Sequence, residues 1–337
     1  MDLDALRKLI GKDWDAYRDF LYRQIGSDVS LLRDLNAEVL SHEGKQLRPL
    51  LCLLAARACG TGAGGVAVPE SGSASLPELT LRYAVAGELL HNATLLHDDV
   101  ADESDLRRGR PTVRSLFGPD VSVLLGDFWL ARAVDGVVSG TVCDPEVIRL
   151  FSKTLQDLAE GEMLQLERAA DGKTDEDAYL RIIYGKTASL FEACAVAGAC
   201  SVGASAVRKQ AVSEFARCLG LAFQIRDDIF DYSPELDTGK PSGEDIGEKK
   251  ITLPLLGAFE NAGHLREEEL RADIVAARPG VKESVLAYVR EFDGIGYAQR
   301  RLETFVERAS AALDVLEDSV WKDAMKQLAR YVAVRKV

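Results

Sequence analysis

The stretch Leu96-His97-Asp98-Asp99-Val100-Ala101-Asp102 decides how the rest of this 337-residue chain reads. It closes an apolar run with three carboxylates in five positions, and Asp98 and Asp102 stand four residues apart. A helix would stack that pair on one face, about 6 Å apart along the axis, where like charges destabilise it unless a cation lies between them. A divalent metal is the natural candidate. The arrangement returns as Asp227-Asp228-Ile229-Phe230-Asp231, again after an apolar run, with Gln224 one turn earlier. Acids crowded at the C-terminal end of a helix also oppose its dipole, which again calls for an external cation.

Working outward from Asp98, the residues Thr94, His91 and Gly87 share its face to within about 40°. That face is small or polar and poor core material, so it is read as the lining of a cavity, while Leu89, Leu96 and Val100 pack elsewhere. An isolated histidine is ordinarily a hydrogen-bonded core residue, and His91 taken alone reads that way. After the acids, Gly109 and Pro111 are expected to end the helix and to present Arg107 and Arg108 beside the carboxylates. Carboxylates next to guanidinium forks suit a metal-bridged phosphate. Lys45 and Arg48 open a helix read from Leu50 to Cys59, a phosphate-binding geometry, although a solvated basic turn is the ordinary reading of such a pair. Lys186 and Thr187 interrupt an apolar pattern and are unremarkable alone. The loop-like stretch from Ser233 to Pro254 sets Lys240, Lys249 and Lys250 among glycines, as a lid over a phosphate would.

Helical spacing dominates the chain. Leu6, Ile10, Trp14, Tyr17 and Leu21 mark a helical pair over 3–40, and further helices are expected over 77–102, 121–138, 146–168, 174–200 and 206–232. Pro145 after Asp144, and Thr174 with Asp177, mark two of the starts. A Gly/Ser-rich surface loop is read at 60–76, and helical spacing resumes from Leu255. Strand-like alternation is scarce, so the fold class is all-α.

The chain is 47% hydrophobic, enough for a sizeable core, and its net charge of -13 argues against nucleic acid and against anionic lipid. No run of about 18 apolar residues is present, and the charged N-terminus lacks the order of a signal peptide. Cys52, Cys59, Cys143, Cys194, Cys200 and Cys218 are scattered without a CxxC and read as reduced core residues of a cytoplasmic protein.

EGKQLRP (43–49), HNATLLHDDVADESDLRRGRPT (91–112), YGKT (184–187), FQIRDDIFDY (223–232) and GKPSGEDIGEKKITLP (239–254), in this order along the chain, resemble the motifs of the trans-isoprenyl diphosphate synthase (polyprenyl synthetase) family. Three positions depart from the family pattern: Glu43 and Gln46 in the first basic segment, and Lys249 where the last commonly has glycine. The resemblance implies a single large helical bundle over residues 1–337 around a deep central cavity, usually as a homodimer. It implies head-to-tail condensation of isopentenyl diphosphate with an allylic diphosphate, using about three Mg²⁺ per active site. By position, Asp98, Asp102 and Asp227 would hold the metal, with Asp99, Asp228 and Asp231 supporting. Lys45, Arg48, His91 and Arg108 would hold isopentenyl diphosphate. Arg107, Lys186, Thr187, Gln224, Lys240 and Lys250 would hold the allylic diphosphate.

In such proteins the positions below the first aspartate act as a floor for the product. Here they are Ala93, Thr94 and Gly87, none aromatic, which implies a product longer than C20, with peripheral membrane contact for its release. The alternatives are a short-chain synthase, a terpene cyclase, against which the basic residues argue, and a non-catalytic subunit, which would be expected to lose one acidic cluster.

Overall fold

Gly11 breaks what the sequence presents as one of two N-terminal helices. Its φ of 56° lies in the left-handed region, which glycine enters without steric cost. The stretch is therefore three helices, α1 (Leu3–Ile10), α2 (Lys12–Gln24) and α3 (Ser30–Leu40). The computed structural model describes residues 2–41, 44–60, 75–107, 109–139, 144–233 and 243–335. The loop expected at 60–76 therefore falls, from 61 to 74, outside the described residues.

Next come α4 (Leu47–Cys59), α5 (Glu78–Ala101), a short ribbon of β1 (Leu106–Arg107) and β2 (Arg110–Pro111), α6 (Val113–Phe117) and α7 (Pro119–Val138). Then follow α8 (Pro145–Asp171), α9 (Glu176–Ile183), a π-helical turn at Tyr184–Ala188, α10 (Ser189–Ser201) and α11 (Ala206–Asp231). The chain ends with α12 (Glu244–Gly247), α13 (Leu253–Asn261), α14 (Glu267–Val275), α15 (Val281–Glu291), α16 (Gly294–Ala312) and α17 (Val320–Val334). The fold class is all-α, as the periodicity implies, and no described helix is long and apolar enough to cross a membrane.

Helix starts follow local chemistry, with two corrections. Asp144 Oδ1 accepts the Glu146 N–H at 2.8 Å, as its place before Pro145 foretells. The cap of α9, however, is Asp175 rather than Thr174, its carboxylate accepting the Ala178 N–H at 2.8 Å. A charged acceptor at a helix N-terminus also gains from the dipole, which a hydroxyl does not. The second correction concerns Gly109 and Pro111: α5 has already ended at Ala101, and these two residues build the ribbon, Gly109 at φ 75° in its turn and Pro111 in β2.

Two compact units divide the chain. The first comprises Met1–Phe151, Ala193–Ser213 and Leu313–Gln327. At its heart is α4, in which every residue from Leu47 to Cys59 is buried, the pattern of a helix packed on all sides. One of those residues is Arg57, and its charge is answered by Asp13 of α2. Nε donates to Asp13 Oδ2 at 2.8 Å, a second guanidinium nitrogen grips the same oxygen, and Oδ1 accepts the Leu76 N–H at 3.0 Å. The guanidinium also lies 5.4 Å from the Trp321 ring. The second unit comprises Ser152–Glu192, Glu214–Ala312 and Leu328–Val337. There α13 packs against α15 and α16, and Gly294 permits the closest approach, since a Cβ would fall 2.0 Å from the Pro254 carbonyl oxygen.

Removing one partner of a buried ion pair strands the other charge. Asp13→Ala is therefore expected to lose about 3–5 kcal/mol of stability in urea unfolding, whereas the exposed Asp15→Ala changes it by less than about 0.5 kcal/mol.

Candidate active site

In the first unit α5 carries Asp98 and Asp99 in its last turn, and Asp102 is its C-cap, with the Asp102 N–H donating to the Asp98 carbonyl at 2.8 Å. Asp98 is half-buried, Asp102 is exposed and Asp99 is buried. The chain then folds back: Ser104 N–H donates to Asp99 O at 3.0 Å and Thr112 Oγ1 to Ser104 O at 2.7 Å. This return brings Arg107 over Asp99, Nε to Oδ1 at 2.7 Å. Burial holds the Asp99 carboxyl above the usual carboxylate range, and the Arg107 charge only partly offsets it.

Lys45 and Arg48 flank the start of α4, which opens at Leu47 rather than Leu50. Gln46, at φ 45°, turns the chain into the helix, Arg48 is buried in the first turn, and the Lys45 carbonyl accepts from Arg7 at 2.8 Å. Along α5, His91 and Thr94 are half-buried, the Thr94 hydroxyl donating to the His91 carbonyl at 2.8 Å, and Ala93 is buried. Gly87 is a point of close approach: a Cβ there would lie 2.3 Å from Cys194 Sγ. Arg108 and Lys240 lie outside the described residues.

In the second unit Lys186, Gln224, Asp228 and Lys250, four of the residues picked from sequence, line one cavity of about 140 Å³ with Gln165, Tyr179 and Asp245. A run of hydrogen bonds crosses it. Thr187 Oγ1 donates to Gln224 Oε1 at 2.8 Å, Gln224 Nε2 to Asp228 Oδ1 at 2.9 Å, and Tyr179 OH to Asp228 Oδ2 at 2.6 Å. The Lys186 ammonium rests 2.7 Å from Glu162 and 2.9 Å from Gln165. Lys250 pairs with Glu248, and its N–H donates to Asp245 O at 2.7 Å.

The acids of this wall oppose one another. Burial pushes Asp228 up to about 6, against the pull of Tyr179 and Gln224, and the Asp227 and Asp231 charges add to it. Asp245, ringed by protein and facing Asp228 and Asp231, is pushed up to about 8. Asp231 accepts the backbone N–H groups of Glu244 at 2.9 Å and Asp245 at 3.2 Å. Those bonds account for α12 inside a stretch read as loop. Asp227 meets Arg335 at 2.6 Å, and that buried guanidinium also lies 4.0 Å from the Phe223 ring centroid.

Tyr179, Glu162, Gln165, Asp245 and Arg335 were not picked out from sequence. Asp245 had a local signal, an acid within a lysine- and glycine-rich segment, whereas nothing near Arg335 marks it. Asp144, Glu146 and Cys200 also bring three potential donor atoms within 4.8 Å of one another. Lys209 already pairs with Glu146, and burial pushes the Cys200 thiol up to about 12. Burial likewise raises the thiols of Cys52, Cys59, Cys194 and Cys218, so these cysteines are poor nucleophiles.

Comparison with known proteins bears on this geometry. The family model described as Polyprenyl synthetase matches residues 29–291. The chain is 38% identical over 326 residues to the all-trans-nonaprenyl-diphosphate synthase (geranyl-diphosphate specific) of Rhodobacter capsulatus, covering 95% of this chain and 94% of that one. A decaprenyl diphosphate synthase structure from Rhodobacter capsulatus superposes with a TM-score of 0.88 at 32% identity, covering both chains completely (100% each). A polyprenyl synthase from Caulobacter crescentus CB15, solved with calcium and isoprenyl diphosphate, gives 0.86 at 32% identity, over 100% of this chain and 98% of that one.

The buried Asp228 yields a pH prediction. Its native carboxyl holds its proton up to about 6 and the unfolded one only to 3.8, so through that window wild-type stability falls as pH rises. Asp228→Asn has no such titration. In melts of the metal-free proteins the difference, variant minus wild type, is expected to grow in the variant's favour from about pH 4 to about pH 6, and more slowly beyond that towards about pH 8, because the Asp228 charge also helps to hold the Asp245 proton. A difference that stays constant across this range would contradict the burial of that charge.

Proposed function

Since this chain belongs to the polyprenyl synthetase family, we propose that it condenses isopentenyl diphosphate head-to-tail with an allylic diphosphate to form a trans-polyprenyl diphosphate longer than C20. It is a prenyltransferase of the trans-polyprenyl diphosphate synthase class. The observation that carries the reading is the single cavity lined by Asp228 and Asp245 together with Lys186 and Lys250. It offers oxygen donors for a hard cation and ammonium groups for the anion that comes with it.

That donor chemistry fits magnesium, which takes carboxylate, water and phosphate oxygens. Carboxyls that raise one another's pKa are those a divalent cation would relieve. Asp98, Asp102 and Asp227 would hold the metal, supported by Asp99, Asp228 and Asp231, with about three ions per active site. When bound, magnesium offsets the charge gathered on the leaving diphosphate.

The chain's own groups bind and orient. Arg107, Lys186, Lys240 and Lys250 would grip the allylic diphosphate oxygens. Thr187, by donating to Gln224, turns that amide so that its NH₂ faces Asp228. Lys45, Arg48, His91 and Arg108 would hold isopentenyl diphosphate. The allylic C–O bond breaks, the isopentenyl double bond attacks the allylic cation, and the proton then lost passes to the departing diphosphate. No protein nucleophile is required, which agrees with the raised thiols.

The long product is supported by the small residues Gly87, Ala93 and Thr94 on α5, and by relatives named for nonaprenyl and octaprenyl products. We read residues 1–337 as one catalytic domain, cytoplasmic and homodimeric, touching a membrane surface only to release its lipid product.

Purified protein incubated with labelled isopentenyl diphosphate, Mg²⁺ and each allylic primer in turn, geranyl diphosphate included, is expected to give products longer than C20 on a chromatogram. No product with any primer would overturn the reading. Asp227→Ala should lower kcat by about 100-fold or more. Thr94→Phe should shorten the products; an unchanged spectrum would remove that face of α5 from the product's path.

A further inference from the structure

Lys186 and Thr187 stand on the single π-helical turn among the described residues, and glycines on two neighbouring helices touch it. The turn is wound wide: the Ser189 N–H reaches back to Tyr184 O, and the Gly185 carbonyl accepts the Ser189 hydroxyl at 2.7 Å. Such single π turns inside α-helices concentrate at functional sites.

A Cβ at Gly161 of α8 would lie 2.9 Å from the Lys186 backbone nitrogen, and one at Gly185 of the turn would lie 2.6 Å from the carbonyl oxygen of Asp157 on α8. On α11, a Cβ at Gly220 would lie 2.5 Å from Ala188 Cα. In each case the obstacle is backbone, which cannot swing aside as a side chain can. The turn is therefore seated at both ends, by α8 beside Lys186 and by α11 beside Ala188. Gly161, Tyr184 and Gly185 also border a second cavity, of about 640 Å³. The turn is therefore not enclosed on every side.

We propose that Gly161 and Gly220 are positioning residues for prenyl transfer: their missing side chains set the height of the π turn, and with it the reach of the Lys186 ammonium and the Thr187 hydroxyl. Neither glycine touches substrate. The inference rests on the reading above, that this turn grips the allylic diphosphate. A shift of about 1 Å is enough to break a hydrogen bond such as that from Thr187 to Gln224, and misplacement on that scale costs on the order of 10²-fold in rate.

Gly161→Ala and Gly220→Ala, each made alone and with Lys186→Ala, test this by steady-state kinetics on both substrates, with a thermal melt for each variant. Each glycine variant is expected to raise the allylic KM by about tenfold or more while the isopentenyl KM stays within about twofold. With Lys186→Ala in place the same substitution should raise the allylic KM distinctly less than it does in the wild-type background, because the Lys186 contact already lost cannot be lost again and only the Thr187 contact remains to be disturbed. Equal rises in both KM values, or the same effect with and without Lys186, would overturn the proposal and leave the glycines as packing alone. A Lys186→Ala enzyme with an unchanged allylic KM would instead sink the underlying assignment of this turn. Should one glycine variant fail to fold, the other, on a different helix, decides the matter.

Discussion

Like charge held out of water is the constraint to which the second unit answers. Asp227, Asp228, Asp231 and Asp245 gather where α11 ends and α12 begins, and two unit charges about 4 Å apart repel by roughly 4 kcal/mol at a partly screened protein site. Each carboxylate meets this differently. Asp227 takes the Arg335 guanidinium, Asp228 takes a phenol and an amide, Asp231 takes the backbone N–H groups of α12, and Asp245 is pushed furthest from its ordinary range. Much of the local structure follows from these answers. The short helix inside a lysine-rich loop, the seat of Arg335 against Phe223 and the hydrogen-bonded line from Thr187 to Tyr179 all exist because an acid had to be met. The first unit shows the same rule at smaller scale, with Asp99 drawing Arg107 back through the β ribbon and Asp13 answering Arg57 inside the most buried helix.

What could be read from the sequence divides along a physical line. The helices that carry the acids were legible almost to their ends, 77–102 against Glu78–Ala101 and 206–232 against Ala206–Asp231, because both are long and apolar residues recur in them without a breaker. The acids were legible because clustered charge stands out at the end of an apolar helix, whereas Lys186, unremarkable alone, and Gln224 and Lys250 gained their roles through the resemblance of the segments that carry them. Breaks were harder. Gly11 and the π turn each depend on how one residue bends, which the surrounding pattern does not reveal, and α12 depends on Asp231, thirteen residues before the Glu244 N–H that it receives. Partners from afar were not legible at all: Tyr179 lies 49 positions from Asp228 and Arg335 lies 108 from Asp227. A reading that proceeds by local pattern finds the groups that need partners, but not the partners.

Helical phase is where the π turn has its widest effect. Such a turn amounts to one residue added to an α-helix, so the faces before and after it are offset by about 100°. Across Tyr184–Ala188 the burial changes character: α9 buries Tyr179, Ile182 and Ile183, whereas from Ser189 to Ala199 every residue but Glu192 is buried. Chain length there carries information that composition does not. A substitution such as one at Gly185 acts where its side chain meets a neighbour, whereas loss of any one residue would close the turn to an ordinary helix and rotate everything upstream, turning the Tyr179 hydroxyl away from Asp228. The number of residues in this region is thus a constraint separate from their identity, a distinction that only the backbone makes visible.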